Sequence, residues 1–143
     1  MVRISLLLLV LCSCRPPAAT LPGPQGQGAT ELTLGTSVTL APDELYRLPE
    51  GRSPFTFAGV KNDSRCPRGT NCVMAGEAIV RLKVEDAVRE VRLGANNRRP
   101  PVLEVPGGQL TLTALLPYPT SGSRIDPASY RLEVTVAGPG AGQ

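Results

Sequence analysis

Fifteen glycines and fifteen prolines are spread along the 143 residues of this chain, and few long stretches escape them. Glycine raises the entropic cost of a helix and proline removes a donor from its interior, so punctuation this dense rules out long helices. What remains between the breaks is short and alternating. Leu32, Leu34, Val38 and Leu40 share one face, with Gly35-Thr36 as a bulge or bend within that run. Tyr46 to Leu48 reads as a short strand. Phe55 and Phe57, two apart, point the same way from the next one. Ala78, Val80, Leu82 and Val84 alternate with polar residues, turn at Glu85-Asp86, and pair with Val88 to Leu93 as a hairpin. Leu103 and Val105, then Leu110, Leu112, Ala114 and Leu116, then Tyr130, Leu132, Val134 and Val136 complete the set. The predicted fold class is all-β, an antiparallel β-sandwich or partly open barrel of about eight short strands. Asp126, four residues before Tyr130, suggests a tyrosine corner, in which the phenol bonds back to upstream backbone.

Aromatic residues make up 3% of the chain and tryptophan is absent, so aliphatic side chains must build most of the core. Histidine is absent too, which removes Ser-His-Asp and Cys-His catalysis, imidazole metal ligation and a proton shuttle near neutrality. The carboxylate pairs Asp43-Glu44 and Glu85-Asp86 are sequence neighbours, so on strands they diverge to opposite faces; they read as turn residues. No catalytic residue, no metal site and no cofactor is expected, and the protein reads as a non-enzyme. A formal charge of +3, scattered over the chain, is too weak to imply nucleic acid.

The amino terminus points to export. Arg3 precedes an apolar run from Ile4 to Leu11 that is too short to span a bilayer and fits the core of a secretory signal. Leu11-Cys12-Ser13-Cys14 then resembles a bacterial lipobox, which implies a signal peptide over 1–13 and lipid attachment at Cys14; the alternative is an ordinary secretory leader cleaved near Ala18-Ala19. Acyl chains of this kind anchor a protein firmly at a membrane. Arg15 follows the cysteine where an Asp is lacking, which among such lipoproteins favours the outer membrane. Residues 14–30 carry Pro16-Pro17, Pro22-Gly23-Pro24 and Gln25-Gly26-Gln27-Gly28, the composition of a tether. The β domain is then expected over 31–137 and a flexible tail over 138–143. The implied location is the cell envelope, lipid-anchored and exported, at the outer membrane, the cell surface or the periplasm.

With Cys14 given to lipid, Cys66 and Cys72 form an even pair in an oxidising compartment, most simply a disulfide closing a loop that holds Pro67 and Gly69. Redox and metal roles are the alternatives. Zinc would need further ligands, and a redox pair usually has two intervening residues. Asp63-Ser64-Arg65-Cys66-Pro67, followed by Cys72-Val73-Met74-Ala75-Gly76-Glu77-Ala78, resembles the signature of a family of small exported bacterial proteins, many of them lipoproteins, without an assigned activity. The similarity runs on into the next strand and loosely to Leu116-Pro117-Tyr118-Pro119. It implies a compartment and a fold class. Met74 stands where such relatives carry a tryptophan, either a stacking platform or core filling; methionine could replace it only as filling.

The functional expectation is a non-catalytic, lipid-anchored envelope domain with a binding or structural role. Its partners are the membrane, through the lipid, and an envelope protein or small ligand. Asp63, Arg65, Arg68 and Glu77 around the loop are the candidate ligand-binding residues, each otherwise a surface charge or a turn stabiliser. The alternatives are an inhibitor of an envelope protease that presents the Cys66–Cys72 loop, and a redox or metal-binding protein.

Overall fold

The computed structural model describes residues 28–94 and 97–140. The expected signal peptide, Cys14, most of the tether and the last three residues of the tail lie outside that range. The strands are β1 (Thr30–Glu31), β2 (Ser37–Leu40), β3 (Leu45–Arg47), β4 (Phe55–Asp63), β5 (Glu77–Val84), β6 (Ala87–Gly94), β7 (Val102–Val105), β8 (Gly108–Leu116) and β9 (Arg131–Ala137). One 3-10 turn, Pro127–Ser129, precedes β9. Two sheets result, ordered β1-β3-β4-β5-β6 and β2-β9-β8-β7. They face each other as a sandwich and do not close into a barrel, which decides between the two expected architectures.

The core is the set of inward positions that strand alternation predicts. Phe55, Phe57, Ala78, Val80 and Leu82 of one sheet meet Leu40, Leu110, Leu112, Leu132, Val134 and Val136 of the other, all fully buried or nearly so. The hairpin β5–β6 is in continuous register from Val84↔Ala87 to Glu77↔Gly94, with Glu85 at φ 54° in its turn.

The structure corrects three details. First, Thr30, which composition assigns to the tether, already pairs with Tyr46, giving a ninth strand, β1, parallel to β3. Second, the run from Leu32 to Leu40 is not one strand. β1 lies in one sheet and β2 in the other, and the chain crosses between them at Gly35, whose φ is +78°. Leu32 and Leu40 still both reach the core, because the corner folds the chain around the edge of the sandwich. Third, β8 does not alternate to its end. A register shift between Leu112 and Ala114 inserts one extra residue opposite β9, so Leu115 is buried and Leu116 is exposed.

The sandwich has two distinct ends. β1 and β3 pair at the Phe55 end of β4, whereas the cysteine loop leaves its Asp63 end. Along the strand these points are roughly 25 Å apart.

Candidate functional site

The segment from Ser64 to Gly76 joins β4 to β5 and is closed twice. At its base Ser64 N donates to the Glu77 carbonyl at 2.8 Å, and Glu77 N donates back to Ser64 Oγ at 3.2 Å. Further out, Cys66 N donates to the Ala75 carbonyl at 3.0 Å, and Cys66 and Cys72 are joined by a disulfide with 5.9 Å between their Cα atoms. Between them Thr70 donates to the Pro67 carbonyl through both its amide (3.2 Å) and its hydroxyl (2.6 Å), which makes 67–70 a tight turn.

Under this loop lies a buried polar knot. Arg65 Nε donates to Asp63 Oδ1 at 2.8 Å and Arg65 Nη2 to Asp63 Oδ2 at 2.6 Å, a bidentate pair of the strong kind. The same guanidinium crosses to the opposite sheet, donating through Nη1 to the Leu115 carbonyl (2.5 Å) and through Nη2 to the Pro117 carbonyl (3.0 Å). Asp63 also accepts from Arg65 N at 3.2 Å, two residues on, and from the Tyr130 hydroxyl at 3.1 Å. Burial tends to raise the Asp63 pKa, but the hydrogen bonds and charge of Arg65 outweigh it and hold this carboxyl below its ordinary value. Burial, with the adjacent Asp63 carboxylate second, pushes the Tyr130 phenol up to about 12.

Tyr130 therefore makes no tyrosine corner. Its hydroxyl reaches Asp63 in the other sheet, while Asp126 accepts from Ala128 N at 3.0 Å and caps the 3-10 turn. The Leu116–Pro117 peptide bond is cis. Beyond it, the Tyr118 ring lies under two guanidinium groups, with Arg65 Cζ 4.8 Å and Arg68 Cζ 5.3 Å from its centroid. Arg68 N donates to the Pro119 carbonyl at 2.9 Å, so the cysteine loop is stitched to the 117–120 segment as well.

The four candidate residues all fall at this end of the sandwich, in different surroundings. Asp63 and Arg65 are spent on each other and on the join between the sheets. Glu77 pairs across the hairpin with Arg92, on an exposed face. Arg68 alone of the four is an exposed charge without a carboxylate partner among the described residues.

Sequence reasoning missed two features. Val73 and Met74 are almost wholly exposed, so Met74 does not fill the core. In addition, a groove of about 410 Å3 runs beside the loop, between the end of β6 (Leu93, Gly94) and the end of β8 (Thr113 to Leu116), with Arg68 and Tyr118 at its mouth. The large apolar pair Val73-Met74, in a loop otherwise of small, polar and turn-forming residues, was the signal for the first. The groove depends on sheet order and had no local signal. Among the described residues no three His, Cys, Asp or Glu side chains gather as a metal site.

No protein-family model, curated protein or solved structure matches the chain.

Proposed function

We propose that the protein is a non-catalytic domain of the bacterial cell envelope, lipid-anchored through Cys14, that binds an envelope protein or ligand with the end of the sandwich carrying the cysteine loop. The observation that carries this reading is the exposure of Val73 and Met74 on a loop held by a disulfide and backbone bonds. Apolar side chains displayed on a braced loop offer contact area at little ordering cost. The point where the described chain enters the fold lies toward the other end, so a tethered domain can turn this loop away from the lipid. The two groups here with displaced pKa values, Asp63 and Tyr130, are bonded to each other inside the knot. That use is structural and favours binding over acid–base chemistry.

The inhibitor alternative draws less support. A loop offered to a protease cleft needs an extended segment with its basic side chain outward. Here 67–70 is a closed turn, and Arg68 lies back over Tyr118.

The test is photo-crosslinking in living cells, with a crosslinking residue at Met74 in one strain and at Asp86, in the opposite turn, in another. Adducts from Met74 alone, together with an acylated intact mass that Cys14→Ser abolishes, are the expected result. Equal labelling from both ends, or an unacylated membrane-free protein, would sink the proposal.

A further inference from the structure

The groove beside the cysteine loop has an unfinished sheet edge as one wall. β7 covers only the first part of β8, in register from Val105↔Gly108 to Val102↔Thr111. One more bond follows, from Leu112 N to the Pro101 carbonyl at 2.9 Å, and there the pairing stops. The cause is in the sequence. Pro100 and Pro101 have no N–H, so Pro101 cannot return a bond to the Leu112 carbonyl, and the strand cannot grow back along Thr113 to Leu116.

On this side of β8 the next residue facing outward after the bulge is Leu115, whose carbonyl Arg65 Nη1 takes. In an antiparallel ladder a residue's N–H points the same way as its carbonyl, so the Leu115 N–H also faces the groove. The opposite wall, β6, is the terminal strand of its own sheet. Among the described residues, two edges without a further strand thus flank a space whose lining includes Leu93, Ala114 and Leu116.

Proteins normally block such edges with charge, bulges or cover; here the bulge at Leu112–Ala114 and the Arg65 contact narrow the edge to the Leu112 carbonyl and the Leu115 N–H. Here the lining contains no carboxylate, and its cations are Arg65, already neutralised by Asp63, and Arg68. Arg98 and Arg99, both exposed, lead into Pro100, and Glu77, beside the lining residue Gly94, is already paired with Arg92. Charge complementarity selects an anionic occupant, and the edge geometry selects an extended one.

We infer that this groove takes an extended acidic peptide segment of a partner protein, added as a short strand along Thr113–Leu116, with its carboxylate on Arg68. The inference deepens the binding reading above and rests on it. The Leu115 N–H and the Leu112 carbonyl supply main-chain bonds, the apolar walls take alternate side chains, and Tyr118 keeps the Arg68 guanidinium in place.

The probe is a short acetylated peptide of alternating threonine and valine with one central glutamate, titrated into the isotope-labelled full-length protein in detergent and followed by amide NMR. The expected result is perturbation of the amides of Thr113 to Leu116 and of Leu93 and Gly94, with slowed exchange at Leu115. The same peptide with lysine for glutamate should bind about tenfold more weakly, the scale of one partly desolvated charge pair. Arg68→Glu should reverse that preference. A second variant carries Pro100→Val and Pro101→Thr together. It restores the missing donors, lets β7 extend, and should abolish peptide binding while leaving the fold intact.

Perturbation elsewhere, equal binding of the two peptides, or binding that survives the β7 extension would overturn the inference. Protection of the same amides without peptide, growing with protein concentration, would assign the edge to a second copy and overturn it too. If the peptide fails while Met74 still crosslinks in cells, the docking mode falls and the binding reading stands. If crosslinking fails as well, both fall.

Discussion

Arg65 grips Asp63 through both carboxylate oxygens, at 2.8 and 2.6 Å, in a pair whose side chains are only 7% and 9% exposed. The residues are two apart in sequence, yet the remaining donors of the arginine end on Leu115 in the other sheet and on Pro117 just beyond its strand. The pair is therefore a rivet between the layers as well as a local turn contact. Removing one partner strands the other as a buried charge. Asp63→Ala is expected to cost about 3–5 kcal/mol in urea unfolding, the range for a broken buried pair. Arg65→Lys should recover little of an Arg65→Ala loss, since an ammonium cannot form the two-pronged contact and reach both carbonyls.

The same carboxylate sets an acid limit. The folded pKa of Asp63 lies below its ordinary value of 3.8. Its contribution is therefore complete above 3.8 and is lost as pH falls through the lower folded pKa. The stability gap between wild type and Asp63→Asn should be constant near neutrality and close progressively below 3.8. A gap that instead opened on acidification would show that burial, not Arg65, dominates this carboxyl.

Tyr130 marks the alkaline side. Its phenol moves from 10.0 to about 12 in the fold, so the unfolded chain loses this proton first and stability falls between those values. Absorbance titration should find a phenol ionising near pH 12 that disappears in Tyr130→Phe, while Tyr46, also held above its ordinary value by burial, still titrates in that variant. That variant also leaves one lone pair of a buried carboxylate without its donor, a cost of about 1–2 kcal/mol near neutrality.

How much of this was legible in the sequence follows from where the partners sit. Strand alternation placed Phe55, Phe57, Val80, Leu132 and Val136 correctly, because a period of two is a property of neighbours. The Cys66–Cys72 bond was legible from an even cysteine pair, six residues apart, in a chain whose leader points to export. The burial of Arg65 was not. Its carbonyl acceptors lie 50 and 52 residues away, and the phenol that meets Asp63 lies 67 residues away. A local pattern reads such an arginine as a surface charge. The bulge at the end of β8 was hidden too, since Leu115-Leu116 offers a leucine to either face and only pairing with β9 decides between them.

The disulfide holds the loop more than it holds the fold. In the chain-entropy picture, closing so short a loop is worth about 2 kcal/mol, toward the small end of the scale. Cys66→Ser with Cys72→Ser should therefore leave a folded sandwich, destabilised by about that amount. Hydrogen exchange should quicken mainly at Cys66 to Ala75, while Leu132 and Val134 stay protected. Loss of protection throughout β9 would mean that the crosslink supports the whole domain.

Positions only two or three residues apart in the loop should respond very differently. Gly76 has φ +66°, and a Cβ built there would stand 1.8 Å from the Ser64 carbonyl oxygen. Gly76→Ala must both strain the backbone, at about 1–3 kcal/mol, and push open the Ser64–Glu77 closure at the base of the loop. Met74, two residues earlier, is 80% exposed and lies outside the core cluster. Met74→Ser and Val73→Ser should change stability by less than about 0.5 kcal/mol, as surface substitutions do. If these two side chains are displayed for a partner, the same substitutions should cut crosslinking from a probe placed at the exposed Asn71 while the melting curve stays where it was. Serine variants that melt early would place Val73 and Met74 in the packing of the loop and withdraw the main support for a contact surface here.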